Sequence, residues 1–133
     1  MAPARRLTLD PVPLALCRLD PSQPPPTPPP GGIWALLRRA DELALVAPVD
    51  ALPPTEAQIR GWRALVVDGP LDCSLVGVLA EILAPLAAAG VSVMTYATYD
   101  TDIILIREVE LERALAALRA AGYAIAEGSP AAV

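Results

Sequence analysis

The sequence predicts an α+β protein, an antiparallel sheet with helices on one face, built as two related modules of which the first is abbreviated. Three observations predict it. The chain has 133 residues, 54% of them apolar, enough to bury a core of the size one ordinary domain needs. Residues 62–126 alternate short β-branched runs with two helical periodicities in the order β-α-β-β-α-β. The first half starts the same way and then breaks off at Pro53–Pro54.

Taken in order, Leu7–Leu9 and Leu14–Leu19 are short apolar runs separated by Pro11 and Pro13, which suits an opening edge strand. Seven of the ten residues between 21 and 30 are proline, so the loop 21–32 is expected as a polyproline II arm connecting surface elements. Ile33, Leu36 and Leu37 then fall at helical spacing, and Leu43–Val49 is a compact apolar strand, so this half reads β-α-β. Thr55–Arg60 is expected to add a helical turn.

In the second half, Trp62–Val67 is a strand closed by Asp68-Gly69-Pro70. A helix follows, capped by Asp72 or Ser74, with Leu75, Val76, Val78, Leu79, Ile82, Leu83 and Leu86 at its spacing and Gly90 as its stop; Pro85 should kink or shorten it. Val91–Thr98 and Ile103–Ile106 read as paired strands around a Tyr99–Asp102 turn. Glu108–Ala121 reads as a helix with Leu111, Leu115 and Leu118 inward, and Tyr123–Ala126 as a last strand. That order is the ferredoxin-like βαββαβ pattern.

Composition removes several function classes. The ten cations, all Arg, face 15 carboxylates for a net charge of −5, with no basic run longer than two residues, which argues against nucleic acid as a partner. There is no His and there are two Cys, Cys17 and Cys73, far apart, so His-dependent triads and the common zinc spacings are absent and no metal or cofactor is expected. The segment Ile82–Tyr99 is uncharged over 18 residues, but Pro85, Gly90, Ser92, Thr95 and Thr98 interrupt it, so no membrane span is expected. The N-terminus lacks a continuous apolar h-region, and the cytoplasm is the expected compartment.

Two clusters could carry binding. Gly69–Val78 leads from a strand through a polar loop to a helix N-terminus, where backbone N–H groups and the helix dipole suit a carboxylate, and Gly77 permits close approach. Thr98-Tyr-Asp-Thr-Asp102 sets two carboxylates among apolar residues, suited to an ammonium or guanidinium group. Both patterns also serve as ordinary turns and caps. An enzyme would need a base for Cys73 or a partner carboxylate for Asp72, such as Asp102, and no spacing fixes either, so no catalytic residue is assigned.

These residues bring in a resemblance. Through Arg39–Pro48, Gly61-Trp-Arg63, Gly69–Ala80, Pro85–Val91 and Ala97–Asp102 the chain resembles the aspartate-kinase-like ACT domain family of small tandem-ACT proteins, related to the cytosolic arginine sensors. The resemblance implies tandem ACT modules, an abbreviated one at 1–54 and a second at 55–133, with an amino acid or similar small ligand held between modules; a homodimer is the expected assembly, with the ligand at a module or dimer interface. It further implies a ligand loop at Asp72, Cys73, Ser74 and Leu75, a close-approach helix start at Gly77 and Val78, and an opposing carboxylate at Asp102, with Thr101 beside it. Ala44 stands where the family usually has a hydroxyl, and Cys73 where it commonly has an aromatic. The competing expectation is a dimerisation or docking module of the same fold with a vestigial pocket.

Overall fold

The computed structural model describes residues 5–72 and 74–128, which form ten regular elements besides two short 3-10 turns. The strands are β1 (Arg6–Leu9), β2 (Leu14–Leu19), β3 (Ala35–Arg39), β4 (Glu42–Pro48), β5 (Gln58–Val67), β6 (Val93–Ala97), β7 (Asp102–Arg107) and β8 (Ala124–Glu127); the helices are α1 (Val78–Ala88) and α2 (Leu111–Ala120). The chain divides into two compact units, one within 1–11 and 63–133, the other 12–62.

In the first unit the strands run β6-β7-β5-β1-β8. The β-α-β-β-α-β order of β5, α1, β6, β7, α2 and β8 is as the sequence predicts, with β1 wedged between its two outer strands. β1 is antiparallel to β5 (Leu7 opposite Val67) and parallel to β8 (Leu7 opposite Ile125). Alternation explains why it fits: Leu7 and Leu9 point into the core with Leu65, Val67, Ile104 and Ile106, while Arg6 and Thr8 point to the other face. Ile82 and Leu86 of α1 and Ala114, Leu115 and Leu118 of α2 cover the core from the helix side.

The expected edge strand is thus an interior one. Pro11 and Pro13 fall outside β1 and β2 and so cost no ladder bond. This pairing also moves the division of the chain away from residue 54: β1 belongs with 63–128, because its hydrogen-bond partners are there.

The second unit is an antiparallel sheet, β3-β4-β2 and the first half of β5, with Cys17, Leu45 and Ala47 buried against Leu19, Trp34 and Leu52. The helix expected at Ile33–Arg39 is strand β3, paired from Ala35 opposite Val46 to Arg39 opposite Glu42. A window with five apolar residues, 33–37, fits either period, and the short hairpin to β4 decides for the strand. The Thr55–Arg60 segment likewise opens β5 at Gln58 rather than forming a helical turn. Since β2 and β3 are both antiparallel to β4, they are parallel to each other, and such a pair needs a long crossover, usually helical. Here residues 20–34, with the proline arm, take the helix's place, and every residue from Pro21 to Pro30 except the half-buried Pro26 is exposed.

α1 starts later than expected, at Val78 with Gly77 as its cap, and it runs through Pro85 to Ala88. Val76, placed by its spacing on the helix, is 94% exposed in the loop before it. The uncharged stretch 82–99 resolves into the end of α1, a turn at Gly90 and β6. Among the described residues no helix is long and apolar enough to cross a membrane.

Candidate functional site

Two loops of the first unit meet beside the start of α1. The first leaves β5 at Val67 and passes through Asp68, Gly69 and Pro70 to Asp72. The second is the turn from Thr98 to Thr101 between β6 and β7. They are stitched by two hydrogen bonds: the Leu71 N–H donates to the Asp100 carbonyl at 2.6 Å, and the Thr101 hydroxyl donates to the Val67 carbonyl at 2.5 Å. The close approach favours glycine at 69, where a Cβ would stand 3.0 Å from the Asp100 carbonyl oxygen and 3.3 Å from Thr101 Cβ, tighter than an ordinary contact.

Each loop is shaped by its own polar side chains. The Thr98 hydroxyl accepts from the N–H groups of Asp100 (3.2 Å) and Thr101 (3.0 Å), while the Thr98 N–H donates to the Thr101 carbonyl at 2.8 Å. Asp72 accepts the Ser74 N–H on Oδ1 at 2.9 Å, and its carbonyl accepts the Leu75 N–H at 3.0 Å, which makes a local turn. The bonds from the Ser74 N–H and then the Ser74 side chain hold the Asp72 carboxyl below the usual carboxylate pKa.

Gly77 caps α1 with φ +82°, a left-handed conformation that favours glycine. The Glu81 N–H is the first to close onto the helix, donating to the Gly77 carbonyl at 2.9 Å. The N–H groups of Val78, Leu79 and Ala80 therefore have no acceptor within the helix, and among the described residues no side-chain cap is made to them. They carry the positive end of the helix dipole.

A cavity of about 380 Å³ opens at this junction. Its wall includes Asp72, Leu75 and the helix start from Gly77 to Ala80 on one side, and Thr98, Tyr99, Thr101 and Asp102 on the other. Six of the eight residues singled out in the sequence line it: Asp72, Leu75, Gly77, Val78, Thr101 and Asp102. Ser74 does not, and instead orients Asp72; Cys73 lies outside the described residues. Leu71, Leu79, Ala80, Ala97, Thr98 and Tyr99 also line it and were not among the eight singled out in the sequence. Thr98 and Tyr99 belong to the polar cluster already legible in the sequence, whereas nothing in the local pattern distinguishes Leu71. The wall carries backbone donors at one end, two carboxylates, and the apolar side chains of Leu71, Leu75 and Val78, a set suited to a small zwitterion. Among the described residues no group of three or more Cys, Asp or Glu stands together as a metal site.

Residues 58–120 match the family model of the ACT domain. No curated protein matches the chain. Among solved structures, a protein from Agrobacterium tumefaciens is similar at 26% identity over 99% of both chains, with a TM-score of 0.86. A Vibrio cholerae protein of unknown function, described as a possible transport protein, is similar at 20% identity over 90% of this chain and 91% of that one, TM-score 0.65. The regulatory subunit of aspartate kinase from Thermus thermophilus shares the fold at 15% identity over 91% of this chain and 99% of that one, TM-score 0.61.

Proposed function

We propose that the chain, whose residues 58–120 match the ACT domain, is a non-catalytic regulatory ACT-domain module of the cytoplasm that binds an amino acid in the cavity between the start of α1 and the Thr98–Asp102 turn. One observation carries the reading: two loops 20 or more residues apart in sequence are stitched together so that unpaired helix-start N–H groups and the carboxylates of Asp72 and Asp102 border one cavity. The α-carboxylate sits on the N–H groups of Val78–Ala80, and the ammonium group faces Asp102. The named function of the Thermus thermophilus neighbour, a regulatory subunit, agrees with this reading.

The test is a thermal-shift screen against the twenty amino acids. A ligand present at 100 times its Kd adds about 2.7 kcal/mol, on the order of 10 °C in Tm for a chain of this size. One or two amino acids should give a shift of this kind, and Asp102→Asn should remove most of it. A flat response to all twenty sinks the proposal.

A second reading, in which the module docks another copy or a protein partner and the cavity stays empty, is favoured by the apolar side chains exposed beside the cavity: Leu75 at 48%, Val76 at 94% and Tyr99 at 99%. A flat ligand screen together with a dimer by sedimentation, dissociated by Val76→Asp, supports that reading.

A further inference from the structure

We propose that a second cavity of the same unit, on the sheet face away from the helices, binds a small aliphatic amino acid through Arg6 and Asp100. This cavity, about 390 Å³, is bounded by Arg6, Thr8, Val66, Asp68 and Pro70, and it meets the first only at the wall formed by Thr98 and Thr101. None of the groups assigned above to a ligand's carboxylate or ammonium lines it.

The polar groups of this cavity are arranged in advance. Thr8, only 5% exposed, donates its hydroxyl to Asp68 Oδ1 at 2.9 Å, and Arg6 Nε bonds Asp68 Oδ2 at 2.5 Å. Both Asp68 oxygens are therefore occupied, and the Asp68 charge is neutralised by Arg6. The pair uses Nε, so among the described residues the two Nη groups of this guanidinium, whose side chain is 61% exposed, remain for another anion. Asp100 also lines the cavity; it is held through its main chain, its carbonyl accepting from the Leu71 N–H and its N–H donating to the Thr98 hydroxyl, and its exposed carboxylate has no partner among the described residues. A cation edge, a carboxylate without a partner among the described residues and apolar walls at Val66 and Pro70 match a carboxylate, an ammonium and an aliphatic body in one molecule.

The experiment titrates the isotope-labelled full chain with L-valine, and separately with isobutylamine and isovalerate, which each lack one of the two charges, following backbone amide signals. L-valine should move the signals of Arg6, Thr8, Val66 and Asp68 saturably, while each half-molecule binds roughly tenfold more weakly or worse. Arg6→Gln and Asp100→Asn should each weaken L-valine by a similar factor at those signals, and Asp102→Asn should not. The proposal is overturned if L-valine moves only the signals of Gly77–Ala80, if no signal near Arg6 responds, or if binding there survives Asp100→Asn. The variant at residue 100 keeps every main-chain bond of the turn, so it decides the matter even if Arg6→Gln disturbs folding. Failure of the first-cavity reading shows at Gly77–Ala80, failure of this one at Arg6–Asp68.

Discussion

Replacing Leu7 by Ala tests whether the N-terminal strand is a structural part of the helical unit. Leu7 is fully buried, lies between Val67 of β5 and Ile125 of β8, and belongs to the core that α1 and α2 cover. Truncating a buried leucine costs about 2–5 kcal/mol, more where neighbours cannot collapse into the space. Here strands on both sides hold the site open, so the upper part of the range, about 3–4 kcal/mol, is expected. That is a large share of the roughly 5–15 kcal/mol that stabilises a domain, and corresponds to a fall of about 10–15 °C in Tm. Urea unfolding followed by the helical circular dichroism signal is the assay, because α1 and α2 lie in the unit to which β1 is assigned. Leu37→Ala, at a side chain 54% exposed on β3, is the control and should cost under about 1 kcal/mol. If Leu7→Ala costs no more than the control, β1 is not part of this core and a division near residue 54 is the better description.

Three further outcomes are expected. Gly69→Ala places a methyl 3.0 Å from the Asp100 carbonyl oxygen, so it should push the Thr98–Thr101 turn away, weaken the Leu71–Asp100 bond at a cost of about 1–3 kcal/mol, and shrink any amino-acid thermal shift. Carboxyl titration by NMR should find Asp72 below its ordinary 3.8, and Ser74→Ala should return it only part of the way because the larger cause, the backbone N–H, stays. The sign follows: a depressed carboxyl contributes stability above its unfolded-state pKa, and that contribution is lost as the pH falls through the folded value. In a Cys73→Ser background, Cys17, 2% exposed and with its thiol pKa raised by burial, should react with a disulfide reagent only as fast as the protein unfolds.

What the sequence makes legible divides along local and non-local lines. α2 spans enough residues for periodicity to separate helix from strand, and it lies within three residues of where the pattern puts it. Ile33–Arg39 offered only one helical turn's worth of pattern, which a strand satisfies equally well. At the start of α1, Leu75 and Val76 match the helical spacing, but the left-handed Gly77 ends the loop after them, and Asp72 uses its carboxylate on a local turn instead of a cap. The polar clusters at 72–78 and 98–102 stand out because they interrupt apolar runs, which is why half of the cavity wall could be named in advance. The Leu71–Asp100 and Thr101–Val67 bonds that bring the clusters together could not, since both link residues about 30 apart, the first through backbone atoms that every residue carries and the second through the Thr101 hydroxyl onto a backbone carbonyl.

The place of β1 is the clearest case of this limit, and it bears on the candidate site. Nothing local to Arg6–Leu9 says which strands flank it; that depends on the parallel register with β8, over 110 residues away. Yet β1 fixes the beginning of the site loop, for the Asp68 N–H donates to the Arg6 carbonyl at 2.9 Å, and the Asp68 carboxylate is held by Arg6 and Thr8. Asp68 immediately precedes Gly69, whose close approach to Asp100 lets the two loops join. A ligand that shifts the loop after β5 must therefore either break these bonds or carry β1 with it, and β1 is anchored in the core by Leu7 and Leu9. Loop position and the core packing of the N-terminal strand are coupled on this geometry, so weakening the Arg6–Asp68 link should loosen the loop without touching a residue that lines the first cavity.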